Sequence, residues 1–198
     1  ETVVIDPGHG GKDPGAIGRS GLKEKDIVLD ISKRLKKIIE ESTGRRAYLT
    51  RYTDVFVPLE ERTAIANTLE ADLFVSIHVN ANAVPAVRGV ETYYLNLPTT
   101  PEEQETAARE NRTSFKKISD LQDILKSMML NSKIEESSVL ARHVQSSMIK
   151  GLSGNYRTRD LGVKKAPFYV LIGAQMPSVL AEVSFITNSE EEKLLASP

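Results

Sequence analysis

Apolar and polar positions along this chain switch repeatedly between two periods. Val3-Val4-Ile5 is a short β-branched run halted at Asp6-Pro7-Gly8, which predicts a buried strand closed by turn residues. A glycine-rich loop follows, from Gly8 to Gly21. From Lys25 to Glu41 the period becomes helical: Ile27, Val28, Ile31, Leu35, Ile38 and Ile39 fall on one stripe, and Gly44 lies where a helix stop is expected. Ala47 to Thr50 predicts a second strand, and Pro58 to Leu69 a second helix with proline in its first turn. Asp72 to Val79 and Gly89 to Leu97 read as strands, as do Phe168 to Ile172 and Ser178 to Phe185 near the end. Ser189 is expected to cap a short helix through Leu195.

Strands alternating with helices indicate an α/β domain with one sheet covered on both faces. The rhythm breaks between Pro98 and Glu136. There the stretch from Glu102 to Arg112 is charged and helix-prone. Ser119-Asp120-Leu121-Gln122 then has a capping-box pattern, followed by a stripe of Leu121, Ile124, Leu125 and Met128. We read 98–136 as a helical insertion, followed by a longer helix from about Ser137 to Leu152.

A length of 198 residues suits one domain with a sizeable core. A net charge of -1 argues against a general nucleic-acid binder, and no apolar run is long enough to span a membrane. The chain opens directly in a strand with no visible signal peptide, so it reads as a domain trimmed from a longer protein. With no cysteine, any zinc site must be built from His, Asp or Glu.

The three histidines differ in setting. His9 follows the first strand between glycines, and His78 ends the most apolar strand. If those strands are parallel neighbours, both imidazoles reach one sheet edge, where α/β folds place ligands and where zinc is suited. His143 lies mid-helix among polar residues and reads as a surface residue. Glu24, at the end of the glycine-rich loop, is a candidate third ligand, with Asp13 and Asp26 as rivals. Glu182 stands in an apolar strand, where a charge is costly unless paired, exposed or used; it is either a solvent-facing or salt-bridged residue or a general base of raised pKa. A phosphate-loop reading of 8–13 fails: Asp13 replaces the Ser or Thr that would bind magnesium, and the first glycine is off register. Asn111-Arg112-Thr113 matches the glycosylation acceptor pattern, which is too common to carry weight.

These residues lie in motifs that resemble the zinc-dependent N-acetylmuramoyl-L-alanine amidases of bacterial cell walls (amidase type 3) over nearly the whole chain. The segment 4–16 (Val-Ile-Asp-Pro-Gly-His-Gly-Gly-Lys-Asp-Pro-Gly-Ala) resembles the family's opening motif. Glu24-Lys25 resembles its second metal motif, and 49–51 and 59–62 its middle segments. The segment 71–81 resembles its second histidine motif, and 177–188 its glutamate motif. The resemblance implies a mixed, mostly parallel sheet of about six strands with helices on both faces, a zinc ion on His9, Glu24 and His78, and a catalytic Glu182. The implied reaction is hydrolysis of the amide between N-acetylmuramic acid and L-alanine in peptidoglycan, outside the cytoplasmic membrane, in the periplasm or cell wall.

The insertion resembles that of division-associated amidases, in which a helix plugs the site until an activator protein removes it. An acid of the insertion then reaches the zinc; Glu110 is the first choice and Glu105 the next, against a reading of the insertion as a solvated helix over the sheet edge. Asn80, Arg88 and Lys165 lie near motif ends where they could meet substrate. The expected protein is a monomer. The rivals are a non-catalytic wall-binding or regulatory domain on this fold, a zinc peptidase cutting within the stem peptide, and a plain structural domain.

Overall fold

The structure, a computed structural model, describes residues 1–113, 132–152, 154, 156 and 158–197. Its elements run β1 (Thr2–Pro7), α1 (Glu24–Thr43), β2 (Arg46–Leu49), α2 (Leu59–Thr68), β3 (Leu73–Asn80), β4 (Val90–Leu95), α3 (Pro101–Glu110), α4 (Ser132–Leu152), β5 (Asp160–Ala166), β6 (Ser178–Phe185) and α5 (Ser189–Leu195). The six strands form one sheet in the order β2-β1-β3-β6-β4-β5. All neighbours are parallel except β4 and β6. The expected mixed, mostly parallel α/β sheet is therefore present.

Because side chains alternate along a strand, the sheet has two distinct faces. On one, Val3, Ile5, Ile77, Val79 and Ala181 pack against Ile27 and Val28 of α1 and Val144 and Met148 of α4. On the other, Val4, Phe74, Tyr93, Leu95 and Leu180 meet Ala66 of α2, Ala107 of α3 and the segment Phe168 to Met176. Toward the C-terminal ends of β1, β3 and β6 this second face becomes polar, with Asp6, Ser76, His78, Asn80 and Glu182 all buried. Among the described residues, no helix is long and apolar enough to cross a membrane.

Three sequence expectations are corrected. Phe168 to Ile172 is not a strand: Tyr169–Leu171 forms a 3-10 turn, buried in the core and held where Asn111 Oδ1 accepts the Tyr169 N–H at 2.8 Å. The sixth strand is instead β5, an edge strand of half-buried, mixed residues (Asp160–Ala166) whose pattern carries no clean alternation. Asn188, not Ser189, caps α5, its side chain accepting from the N–H groups of Glu190 and Glu191. The helix expected from Ser137 begins at Ser132. The capping box at 119–122 and the stripe of Leu121, Ile124, Leu125 and Met128 lie outside the described residues.

The polar end of the second face is organised around one ion pair. Arg62 of α2 is 1% exposed, and its Nη1 donates to Asp6 Oδ1 at 2.9 Å. Asp6 also accepts from the hydroxyls of Thr50 at 2.5 Å and Ser76 at 2.7 Å. Burial works against the Asp6 carboxylate, but Arg62 and the two hydroxyls outweigh it and hold the carboxyl below its ordinary value. A carboxyl depressed in the folded state contributes stability above its unfolded pKa and loses it as pH falls through the folded one. Asp6→Asn strands the Arg62 charge and is expected to lower unfolding stability by about 3–5 kcal/mol at neutral pH. Urea titrations should show that deficit shrinking below about pH 4.

Candidate metal centre

The site begins with the loop that leaves β1. Its carbonyls have no sheet partners, so buried arginines supply them. Arg62 donates to Pro7 O at 2.8 Å and His9 O at 2.9 Å, while Arg51 donates to Pro7 O at 3.0 Å, Gly8 O at 2.7 Å and Lys25 O at 2.8 Å. His9 is held in the left-handed region, φ 57°, which an L residue adopts only when its surroundings fix it. Two glycines leave room for the ring cluster. A Cβ on Gly8 would lie 2.4 Å from the His78 ring, and one on Gly15 would lie 2.6 Å from Glu24 Oε2 and 2.7 Å from the His9 ring.

His9, Glu24, His78 and Glu110 each bring one ligand atom to a common point, all within 4.8 Å of one another. His9 Nε2 lies 3.0 Å from Glu24 Oε1 and 3.1 Å from Glu110 Oε2. His78 Nδ1 lies 3.1 and 3.0 Å from the same two oxygens. Glu24, the first residue of α1, is fixed by backbone donors: Ala16 N–H to Oε2 at 2.8 Å and Val79 N–H to Oε1 at 2.9 Å. His9 Nδ1 lies 2.9 Å from Asp13 Oδ2, a carboxylate that only accepts; the Nδ1 proton therefore faces Asp13, and Nε2 is the nitrogen turned to the cluster.

The electrostatics of this group call for positive charge at its centre. Burial disfavours a charged His78, yet the carboxylates of Glu110 and Glu24 prevail and push its pKa up to about 10. His9 is raised against burial in the same way by Glu24 and Glu110. In return the imidazoles hold Glu110 well below the usual carboxylate range despite its burial. Two carboxylates and two imidazoles in so small a buried space suit a cation that all four can face. The donor set of nitrogens and carboxylate oxygens, with an oriented imidazole behind it, fits a transition-metal ion such as zinc.

Glu182 stands opposite His78 in the β3–β6 register, fully buried, and among the described residues neither of its carboxylate oxygens has a hydrogen-bond partner. Burial pushes its carboxyl well above the usual range, and the nearby carboxylates of Glu110, Glu24 and Glu91 push it further. An unpartnered carboxyl beside a cation site can take and return a proton.

Of the other residues singled out from sequence, Asp13 stands behind His9, while Asp26, Glu105 and His143 are exposed. Asn80 is buried beside the cluster. Arg88 lies in the loop before β4, where its charge acts on Glu191. Lys165 lines a recess with Tyr94, Glu103 and Arg142, and its backbone N–H donates to Glu103 at 3.2 Å. Neither is brought to the cluster. The amide of Asn111 is buried and engaged at both ends, with Pro167 O and Tyr169 N–H, which leaves it closed to glycosylation.

Sequence reasoning missed Arg51, Arg62, Glu91 and Arg109. Glu91 carried a usable signal: like Glu182, it is a charge within an apolar strand. The start of α3 carried another, since Thr100-Pro101-Glu102-Glu103 spells a capping box with proline in the first turn, and both reciprocal hydrogen bonds form.

The family model described as N-acetylmuramoyl-L-alanine amidase matches residues 3–198. N-acetylmuramoyl-L-alanine amidase AmiA of Escherichia coli (strain K12) is 39% identical over 205 residues, covering 99% of this chain and 69% of that protein. The amidase AmiC2 of Nostoc punctiforme superposes with a TM-score of 0.70 at 34% identity, covering 99% of this chain and 86% of that one. The CwlD amidase of Clostridioides difficile, solved in complex with the GerS lipoprotein, superposes with a TM-score of 0.72 at 27% identity, covering 100% of this chain and 88% of that one. The chain therefore belongs to the N-acetylmuramoyl-L-alanine amidase family of enzymes, which hydrolyse the amide that joins peptidoglycan's stem peptide to its glycan.

Proposed function

We propose that His9, Glu24 and His78 hold one zinc ion, that Glu182 handles the protons of amide hydrolysis, and that Glu110 blocks the site from α3. The observation that carries this reading is the convergence of four ligand atoms within 4.8 Å beside a carboxyl with no partner. A zinc ion there supplies Lewis acidity to the scissile carbonyl and acidifies water. With Glu110 withdrawn, one of the charges that keep Glu182 protonated is gone, and its carboxylate form accepts a proton from the attacking water. It then returns that proton to the alanine nitrogen as the C–N bond breaks. Arg62, which holds the His9 carbonyl, keeps that residue in place as substrate binds.

The fourth group, Glu110, comes from the insertion and lies on the buried face of α3 with Glu103, Thr106 and Ala107. A carboxylate at that position excludes the substrate carbonyl from the same place. We read the chain as autoinhibited, acting on peptidoglycan in the periplasm or cell wall during wall remodelling or daughter-cell separation. A protein partner that draws α3 away is the expected activator; CwlD, a related amidase, is recorded in complex with a lipoprotein.

Product analysis of digested peptidoglycan, with zinc measured in parallel, tests this reading: free stem peptides beginning at L-alanine and about one zinc per chain are expected. Glu182→Gln should keep its zinc and lose about 10²–10⁴-fold in kcat; undiminished hydrolysis would remove Glu182 from the chemistry. Asp13→Asn should weaken zinc binding about 10–100-fold in competition with a chromophoric chelator. Glu110→Gln should raise peptidoglycan release above wild type without partner present, and unchanged release would mean that α3 is not a plug.

A further inference from the structure

Arg109, the neighbour of Glu110, makes an unusual contact. A single nitrogen, Nη1, donates both to Asn80 Oδ1 at 2.7 Å and to the Ala81 carbonyl at 2.6 Å. The two acceptors sit at the C-terminal end of β3, just past His78 on the polar edge of the sheet. Together they form a cradle for one nitrogen that carries at least two hydrogens.

The polarity of this cradle is fixed from behind. Asn80 is 2% exposed, and its Nδ2 donates to Glu91 Oε1 at 2.7 Å. A carboxylate can only accept, so the Asn80 amide cannot turn over, and its oxygen must face the site. Glu91, itself 2% exposed, is secured by the Tyr93 hydroxyl at 2.9 Å and Lys164 Nζ at 2.5 Å. It lies directly opposite Glu182 in the β4–β6 ladder, which sets the cradle beside the reacting groups. When α3 leaves, the Ala81 carbonyl loses its side-chain donor and Asn80 Oδ1 keeps only the Ala81 N–H, at 2.7 Å, so each oxygen has a lone pair open to a replacement.

We propose that Asn80 Oδ1 and the Ala81 carbonyl receive an amino nitrogen of the stem peptide, and that Arg109 is the internal stand-in for it. The inference rests on the amidase reading of the site. Two nitrogens have the required chemistry. One is the alanine nitrogen: hydrolysis breaks its C–N bond, forms a C–O bond to water oxygen, and delivers a water proton to it, so it gains a second hydrogen only as the bond breaks. The other is a side-chain amine farther along the stem. In the first case the cradle favours the departing product over the bound substrate, which has a single N–H there. Glu91 acts through Asn80 and is a positioning residue.

The test is calorimetric binding of the tripeptide L-alanyl-D-isoglutamyl-L-lysine to two zinc-loaded full-length variants, Glu110→Gln and Arg109→Met/Glu110→Gln. The second is expected to bind about tenfold tighter, because two acceptors are freed at roughly 0.5–1.5 kcal/mol per hydrogen bond. Acetylating the alanyl amine or the lysyl amine separately should abolish that gain for one of them, which identifies the source. Adding Asn80→Leu should erase the gain, and adding Glu91→Gln should reduce it while zinc content stays at its starting value. If the doubly acetylated peptide gains equally, or if Asn80→Leu keeps the gain, the cradle does not read an amino group. Should Asn80→Leu fail to fold, the acetylation series decides on its own. Peptidoglycan hydrolysis without amine-dependent binding overturns this inference alone; no release of stem peptides by any version overturns the amidase reading with it.

Discussion

The site depends first on satisfying the carbonyls of a buried loop. Beyond β1 the chain leaves the sheet, yet Pro7, Gly8 and His9 stay largely inside the protein, where an unpartnered carbonyl is costly. Two guanidiniums resolve this. Arg62 and Arg51 donate to all three carbonyls, and Asp6 balances the Arg62 charge. The planar fork of arginine spreads five donors over acceptors that lie too far apart for a single ammonium to reach together. The result is a loop with the rigidity of a regular element and the reach of an irregular one. It aims His9 at a point that the strand itself could not address, at the cost of a left-handed backbone at a residue with a side chain.

The sheet supplies the second half of the geometry. Parallel alignment of β1, β3 and β6 brings three C-terminal ends to one edge, and the period of two puts Asp6, His78 and Glu182 on one face. The charges there make physical sense only as a set. Glu24 and Glu110 are held ionised by two imidazoles that hold charge because of them, while Glu182, with no donor, is pushed the opposite way. Carboxyls driven apart in pKa within one cluster are what a site needs if one of them is to face a cation and another to carry a proton. Such an arrangement sacrifices stability for function, since a buried carboxyl without a hydrogen bond contributes nothing to folding.

Local signals in the sequence nominated members of this cluster, and only the family resemblance chose Glu24 over Asp13 and Asp26. His9 between glycines, His78 at the end of an apolar strand and Glu182 within one are each anomalies against their surroundings, and parallel pairing converts them into neighbours. The fold was legible where burial imposed a clean period, as in α1, β3 and β6. It was illegible at the edge, where β5 is half exposed and its residues answer to no single period. The apolar run at 168–172 misled for the complementary reason: full burial makes a run apolar whatever its backbone does, and Asn111, from a distant segment, fixes that backbone as a turn. The roles of Arg51 and Arg62 could not be read, although both stand in segments that resemble the family's. Their partners are main-chain carbonyls, and nothing in a carbonyl's own residue type announces that it needs a donor.

The insertion helix is a strong local structure with a conditional address. Thr100, Pro101 and Glu103 specify its start regardless of what lies beneath it. It docks through the buried Ala107, packed in the core of the second face, and through polar contacts: Glu103 on the edge of β5, Arg109 on Asn80 and Ala81, Asn111 on 167–169, and Glu110 in the cluster. Glu110 occupies the last turn of α3, where the helix dipole disfavours a negative charge. Only the positive charge of the cluster makes that position favourable.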